Sequence, residues 1–166
     1  MHPTDDRQKF RLRSVFVSDV HLGSPDCRAD ELLRFLESIE VDYLFLVGDI
    51  VDFWSLRRSL YWPEAHNEVL RTLLAMAREG TKIIYIPGNH DENIREFCGS
   101  LFGNVSIRRR YAHSTVDGRE FLVMHGDEFD SAVRCGRLRV RLGAALYGAA
   151  LFVNNLIYRA HLHRAL

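Results

Sequence analysis

The apolar positions before residue 90 form three short runs, separated by two longer segments with helical spacing. The runs at residues 12–17, 43–47 and 82–86 predict strands, and the last two are nearly continuous, which is typical of strands buried on both faces. Residues 29–39 and 63–79 predict helices, and the second helix starts at a proline and is followed by a glycine. Strands that alternate with helices in this way predict an α/β fold.

The pattern changes after residue 100. Short runs at residues 105–107, 111–116 and 120–124 predict strands, with Asp117-Gly118 as a hairpin turn between the last two. Residues 137–164 predict a helical segment that is rich in arginine. The predicted fold class is therefore α/β, a layered domain with a mixed central sheet and a C-terminal helical extension.

The length of 166 residues suits one domain, and the sequence contains no internal repeat and no linker. We expect a single domain over residues 1–166, with a core at 10–130 and a basic helical extension or lid at 131–166. The net charge is zero, so no nucleic-acid partner is expected. The charge is uneven, however, because no acidic residue follows Asp130. The extension could therefore contact a membrane surface through residues 137–164.

Three features of the sequence bear on location. Cys27, Cys98 and Cys135 lack the spacing of a disulfide framework or a zinc ribbon, which suits a reducing compartment. The N-terminus has no apolar core of the kind a signal peptide needs. The longest apolar stretch, residues 143–153, is shorter than the roughly 20 residues that cross a bilayer. We expect a cytoplasmic protein, with peripheral attachment to the inner membrane left open.

Polar residues follow four of the predicted strands. Ligands of open α/β sheets gather at the carboxyl ends of the strands, so we expect these residues to meet although they are more than 100 positions apart in the chain. Carboxylate, imidazole and amide groups together favour Mn²⁺, Fe or Zn²⁺ over Ca²⁺ or a thiolate zinc site. The predicted metal ligands are Asp19, His21, Asp49, Asn89 and His125.

The spacing of these residues suits a pair of cations. Asp19 and His21 alternate along an extended segment, so their side chains can reach one ion. The carboxylate of Asp49 can bridge two ions. Two divalent ions about 3.5–4 Å apart can clamp a phosphate oxygen and activate a water. We therefore expect two divalent metal ions, with Mn²⁺ preferred and Fe or Zn²⁺ as alternatives.

Two neighbours of Asn89 are the predicted catalytic residues. His90 is the candidate to protonate a leaving group or to hold a phosphate. Asp91 is the candidate to orient the imidazole of His90 in the correct tautomer.

Four motifs carry a family resemblance, because their order and spacing resemble those of the calcineurin-like metallophosphoesterases. They are Asp19-x-His21, Gly48-Asp49, Gly88-Asn89-His90-Asp91 and His125-Gly126. The resemblance implies the metallophosphoesterase fold and metal-dependent hydrolysis of phosphoester or pyrophosphate bonds. It further implies that Asp19, His21 and Asp49 hold one metal, that Asp49, Asn89 and His125 hold the second, and that His90 is catalytic.

Within that family, residues 18–22, 47–54 and 124–127 look most like the bacterial UDP-2,3-diacylglucosamine pyrophosphatases. This resemblance implies a lipid-nucleotide substrate, cleaved to an acylated sugar 1-phosphate and UMP in lipid A synthesis, and a helical lid. One departure is His90, where that group often has arginine. A phosphodiesterase that acts on nucleotides or on another small phosphodiester is the alternative.

A second departure concerns the end of the motif series. The family closes with Gly-His-x-His on a late strand, and no such motif follows His125. His161-Leu162-His163 has the spacing but lies in a predicted helix. We therefore expect the chain to stop before the last strands of the sheet. An inactive or weakly metal-binding fragment is a third reading, and the sequence leaves the oligomeric state open.

Overall fold

The computed structural model of the protein describes residues 9–129 and Tyr147. The chain divides into two compact units, Met1–His125 and Gly126–Leu166. The first unit contains all the strands and α-helices given below. In the second unit the structure describes a 3₁₀ helix at Gly126–Phe129 and the single residue Tyr147. The helix predicted at residues 137–164 lies outside the described residues except for Tyr147, and His161 and His163 lie outside them as well.

A five-stranded mixed sheet forms the centre of the first unit, in the order β1-β2-β3-β5-β4. Its first four members in that order pair in parallel, and β4 pairs antiparallel with β5. The strands are β1 (Phe10–Val17), β2 (Ile39–Val47), β3 (Lys82–Ile86), β4 (Leu101–Phe102) and β5 (Val105–Ile107). This arrangement confirms the predicted α/β class with a mixed sheet.

Two helices, α1 (Ala29–Glu37) and α3 (Glu64–Arg78), cover one face of the sheet. A short helix, α2 (Phe53–Arg58), lies between them in the chain and has no buried residue. In α3, Val69, Leu73 and Met76 recur at helical spacing, and all three are buried in the core that also contains Leu44 and Leu46 of β2. The crossover helices thus bury the apolar side of the parallel strands and fix their carboxyl ends along one edge.

A hairpin of β6 (Tyr111–Ser114) and β7 (Glu120–Val123) packs on the opposite face. The ring centroid of Phe45, on β2, lies 4.9 Å from that of His113 and 5.4 Å from that of Tyr111. The unit is therefore layered as helices, sheet and hairpin. A mostly apolar groove of about 570 Å³ lies between the hairpin and β1, lined in part by Phe16 and Phe121.

The structure corrects the predicted boundaries near residue 39. The strand β2 begins at Ile39, whereas the sequence pattern extended the first helix to that residue and started the strand at 43. Buried Ile39 and Val41 alternate with exposed Glu40 and Asp42, which is strand periodicity. The elements α2 and β4 were not predicted, because both are short. No helix in the described part of the chain is long and apolar enough to cross a membrane.

Candidate metal centre

The loops that follow β1 and β2 continue to pair beyond the ends of the strands. The amide of Asp19 donates to the carbonyl of Gly48 at 3.2 Å, and the amide of His21 donates to the carbonyl of Asp49 at 2.9 Å. A parallel bridge between Leu22 and Val51 extends this pairing by a further step. The polar residues at the two strand ends are therefore held by backbone hydrogen bonds.

Three predicted ligands share an unusual backbone conformation. Asp19, His21 and Asp49 have φ values of 54°, 55° and 54°, and they are the non-glycine residues with positive φ in the described part of the chain. A non-glycine residue in this region costs about 1–3 kcal/mol and persists only where its surroundings hold it there. Strain is therefore concentrated at the predicted metal ligands.

The same three residues are brought together. One ligand atom each from Asp19, His21 and Asp49 lies within 4.8 Å of the other two. Two carboxylates and one imidazole form a donor set that suits a divalent transition metal, so these side chains fit a cation. The three side chains predicted to hold the first metal therefore lie together.

Asp49 also connects to the residues predicted for the second metal. Its Oδ1 accepts a hydrogen bond of 2.8 Å from the amide of His90, and its Oδ2 lies 3.9 Å from Nε2 of His125. Asn89 is half-buried in the same loop after β3. The Asp49 carboxylate thus lies between the cluster with His21 and the imidazole of His125, as a bridging ligand would.

Two glycines make room for His125 and Asp49. A Cβ atom on Gly48 would lie 2.1 Å from Cδ2 of His125, and Gly48 has a φ of 73°. A Cβ atom on Gly88 would lie 2.3 Å from Oδ1 of Asp49 and 2.9 Å from Cε1 of His125. Only glycine allows the strand-end loops to approach these side chains so closely.

Asp52 orients two histidines, a role that the sequence did not reveal. Its Oδ1 lies 3.0 Å from Nδ1 of His90, and its Oδ2 lies 3.4 Å from Nδ1 of His21. Histidines that bind metals usually donate their second ring nitrogen to a carboxylate, which leaves Nε2 for the ion. Asp52 also accepts from the amide and the hydroxyl of Ser55, both at 2.8 Å, which caps α2.

These contacts shift the pKa values of the cluster. Burial raises the pKa of Asp52, but hydrogen bonds from His21, His90 and Ser55 outweigh burial and hold that pKa far below its usual value. Burial lowers the pKa of His21, but the hydrogen bond to Asp52 and the nearby charge of Asp49 outweigh it, and the net pKa is raised. Asp52 therefore remains ionised between the two imidazoles.

An indole ring lies against the predicted catalytic histidine. The ring centroids of Trp54 and His90 are 4.2 Å apart with an interplanar angle of 32°, and His21 meets His90 edge-on at 4.6 Å. The indole supplies an apolar wall beside an otherwise polar site.

The expected role of Asp91 needs correction. We expected Asp91 to orient His90, but Asp52 holds Nδ1 of that ring. Asp91 is fully buried and accepts from backbone amides and from the Tyr85 hydroxyl. The adjacency of Asp91 and His90 in the sequence was misleading, because their side chains have separate partners.

Two further histidines lie outside the site. His66 is buried, and its Nδ1 accepts from the amide of Gly23 at 3.1 Å. His113 is buried in the hairpin layer, with Nε2 2.9 Å from the hydroxyl of Ser14. Each of these two histidines has a hydrogen-bond partner and a place in the interior.

Carboxylates and imidazoles gathered at the carboxyl edge of a mostly parallel sheet define an α/β metal-binding domain. A family model described as calcineurin-like phosphoesterase matches residues 12–146. The chain therefore belongs to the calcineurin-like phosphoesterase family, whose members are hydrolases that act on phosphoester bonds with divalent metal ions.

Curated relatives fall into two groups. The chain is 33% identical over 126 residues to a UDP-2,3-diacylglucosamine hydrolase of Aeromonas hydrophila, covering 70% of this chain and 48% of the relative. A hydrolase of the same name from Porphyromonas gingivalis is 28% identical over 126 residues, covering 72% and 47%. The DNA polymerase II small subunit of Methanothermobacter thermautotrophicus is 29% identical over 159 residues, covering 77% and 33%. The chain thus spans about half the length of the hydrolases and a third of the polymerase subunit.

Proposed function

We propose that this chain carries the reaction centre of a metal-dependent hydrolase that cleaves a phosphodiester or pyrophosphate bond. The observation that carries the proposal is the approach of Asp19, His21 and Asp49 within 4.8 Å, with His125 and His90 in contact range of Asp49. Divalent ions bound there would polarise the phosphate and activate a water.

Three residues of the site have distinct proposed roles. Asp49 would be shared by the two ions, and His21 would bind through Nε2 because Asp52 holds its Nδ1. The same contact at His90 leaves Nε2 of that ring as the nitrogen available to a substrate. We infer that His90 donates a proton to the leaving oxygen or holds a phosphate oxygen.

For the substrate we propose UDP-2,3-diacylglucosamine, which would be cleaved to UMP and the acylated sugar 1-phosphate. Support comes from the relatives of that name and from the apolar wall that Trp54 forms beside His90. Contact of residues 137–164 with the membrane surface is part of this proposal. Mn²⁺ is the proposed native metal, because the donor set combines hard carboxylates with imidazoles.

The test compares hydrolysis of the acylated nucleotide, its deacylated form and bis(p-nitrophenyl) phosphate, each with Mn²⁺ and after chelation. We expect hydrolysis that depends on Mn²⁺ and is fastest on the acylated nucleotide. Equal turnover of the acylated and deacylated forms would reject the lipid substrate and keep the class. Full activity after complete metal removal would reject the assignment as a metal-dependent hydrolase.

A second candidate is a phosphodiesterase that acts on nucleotides or on DNA ends, and similarity to the polymerase small subunits favours it. The zero net charge gives no general attraction to a long polyanion. Short oligonucleotides labelled at either end, assayed with Mn²⁺, separate the two candidates. Cleavage of these at a rate above that of the acylated nucleotide would favour the second candidate.

A further inference from the structure

The carboxylate of Asp91 bonds to both loops that form the site. Its Oδ1 accepts from the amide of Asp49 at 3.3 Å and from the amide of Gly88 at 2.5 Å. Its Oδ2 accepts from the amide of Ile50 at 2.9 Å and from the hydroxyl of Tyr85 at 2.5 Å. The residue is 0% exposed, and all four donors are neutral. Dipoles of the surrounding chain therefore compensate the buried charge.

Two of these donors belong to the strained turn at the predicted bridging ligand. Asp49 has a φ of 54°, and Asp91 accepts from its amide and from that of the next residue, Ile50. The side chain of Asp49 is held from the other loop, because its Oδ1 accepts from the amide of His90. The loop after β3 thus fixes both the backbone and the carboxylate of Asp49.

We propose that Asp91 is a positioning residue that holds Asp49 in its left-handed conformation and so sets the bridging carboxylate before any metal binds. The bonds to Ile50 and Gly88 also fix the spacing between the loop that carries Asp49 and the loop that carries Asn89. This inference rests on the proposed metal centre, and it assigns Asp91 a role that does not pass through His90.

The variant Asp91→Asn tests the proposal with little change in shape. An amide side chain presents one acceptor and one donor, whereas the site offers donors to both oxygens. Either orientation places an N–H group against a backbone N–H of Ile50 or of Gly88. The strained turn at Asp49 would then lose one of the hydrogen bonds that hold it.

The measurement is calorimetric titration with Mn²⁺ alone, without substrate, well below the unfolding temperature. We expect Asp91→Asn to weaken Mn²⁺ binding by about 10- to 100-fold, the usual effect of removing a partner behind a metal ligand. Tyr85→Phe should weaken binding less, because the three backbone bonds remain. Asp42→Asn removes the same charge at an exposed position and should leave the affinity unchanged.

Two further arms separate positioning from charge and from fold stability. Asp91→Glu keeps the charge but displaces the carboxylate, so we expect its affinity for Mn²⁺ to stay below that of the wild type. Wild-type affinity in Asp91→Glu would overturn the proposal. Amide exchange in the wild-type protein without metal needs no variant to fold. The amides of Asp49 and Ile50 should be protected there, and rapid exchange at both would overturn the proposal.

Wild-type affinity for Mn²⁺ in folded Asp91→Asn would also overturn the proposal. A chain that binds Mn²⁺ normally but hydrolyses no phosphoester would reject the proposed function alone, because the titration comparison does not use substrate. A wild-type chain that binds no Mn²⁺ would overturn both.

Discussion

At the carboxyl edge of the sheet, His21 and His90 both meet the carboxylate of Asp52, whereas in the hairpin layer His113 meets the hydroxyl of Ser14. The pKa of His21 is raised, because the contact with Asp52 and nearby charges outweigh burial. The pKa of His113 is lowered, by burial first and then by the charge of Arg13. The charge of the partner, and not the residue type, separates the histidines of the candidate site from the histidine of the hairpin layer.

The backbone differs between these two regions as well. The left-handed residues at the carboxyl edge include Asp19, His21 and Asp49, whereas the hairpin turn places Gly118 at a φ of 78°. The turn uses the residue for which that conformation is free of strain, whereas the edge uses three non-glycine residues besides Gly48. The hairpin layer instead leaves Phe121 exposed. Backbone strain therefore distinguishes the candidate site from the hairpin layer.

The largest expected difference between the regions comes from changing the same residue in each. His90→Gln should lower kcat by about 10²- to 10⁴-fold, the usual loss when a general acid is removed. His113→Gln should leave kcat near that of the wild type and lower the free energy of unfolding by about 1–3 kcal/mol, because a buried pair is broken. Steady-state kinetics and urea denaturation measure both. Equal losses of kcat in the two variants would show that the two histidines do not differ in function.

The second prediction separates Asp52 from the helix that it caps. Asp52→Asn should lower kcat by about 10- to 100-fold, because two histidines lose their common anchor. Ser55→Ala removes the hydroxyl bond to the same carboxylate and leaves both histidine contacts intact. If Ser55→Ala reduced kcat as much as Asp52→Asn, capping of α2 would explain the effect.

The third prediction compares two glycines of similar conformation. Gly118→Ala should cost about 1–2 kcal/mol of unfolding free energy from its left-handed backbone alone, since nothing lies within 4 Å of the added Cβ. Gly48→Ala should cost more and should weaken Mn²⁺ binding, because its Cβ would meet His125. Chemical denaturation and metal titration measure the two effects. Similar losses in the two variants would show that His125 moves aside without cost.

The smallest expected effect is the pH dependence contributed by His66. Burial lowers the pKa of His66 below its ordinary value of 6.5, so the folded state favours the neutral ring. The stability that this provides is present above pH 6.5 and is lost as the pH falls from there toward the folded pKa. His66→Asn keeps an acceptor for the Gly23 amide, so its unfolding free energy should decline less between pH 7 and 5. An equal decline in His66→Asn and in the wild type would show that His66 does not contribute to the pH dependence of stability.

Periodicity and motif order were sufficient to predict the parallel strands and the convergence of Asp19, His21 and Asp49. These features depend on local patterning and on the rule that sites lie at carboxyl ends of strands. The start of β2 at Ile39 was missed because the apolar residue at position 39 fits both the end of a helix and the start of a strand. The predicted single domain over residues 1–166, with its division near residue 130, stays a prediction.

The hydrogen-bond partners of the site histidines could not be predicted from the sequence. Asp52 lies 31 residues from His21 and 38 residues from His90, and no local pattern indicates which carboxylate meets which ring. The one signal was the Asp-x-x-Ser spacing at the start of α2, which predicts a cap but no histidine contact. Asp91 and His90 are adjacent in the chain but have separate side-chain partners, so the sequence assigned Asp91 to the wrong residue.

The bridge between Leu22 and Val51 makes the candidate metal centre a continuation of the sheet. The part of the site on residues 19–22 and 48–51 can therefore keep its geometry while α2 (Phe53–Arg58), which is not part of that pairing, changes length and composition. New specificities can then arise by remodelling the rim without rebuilding the chemistry.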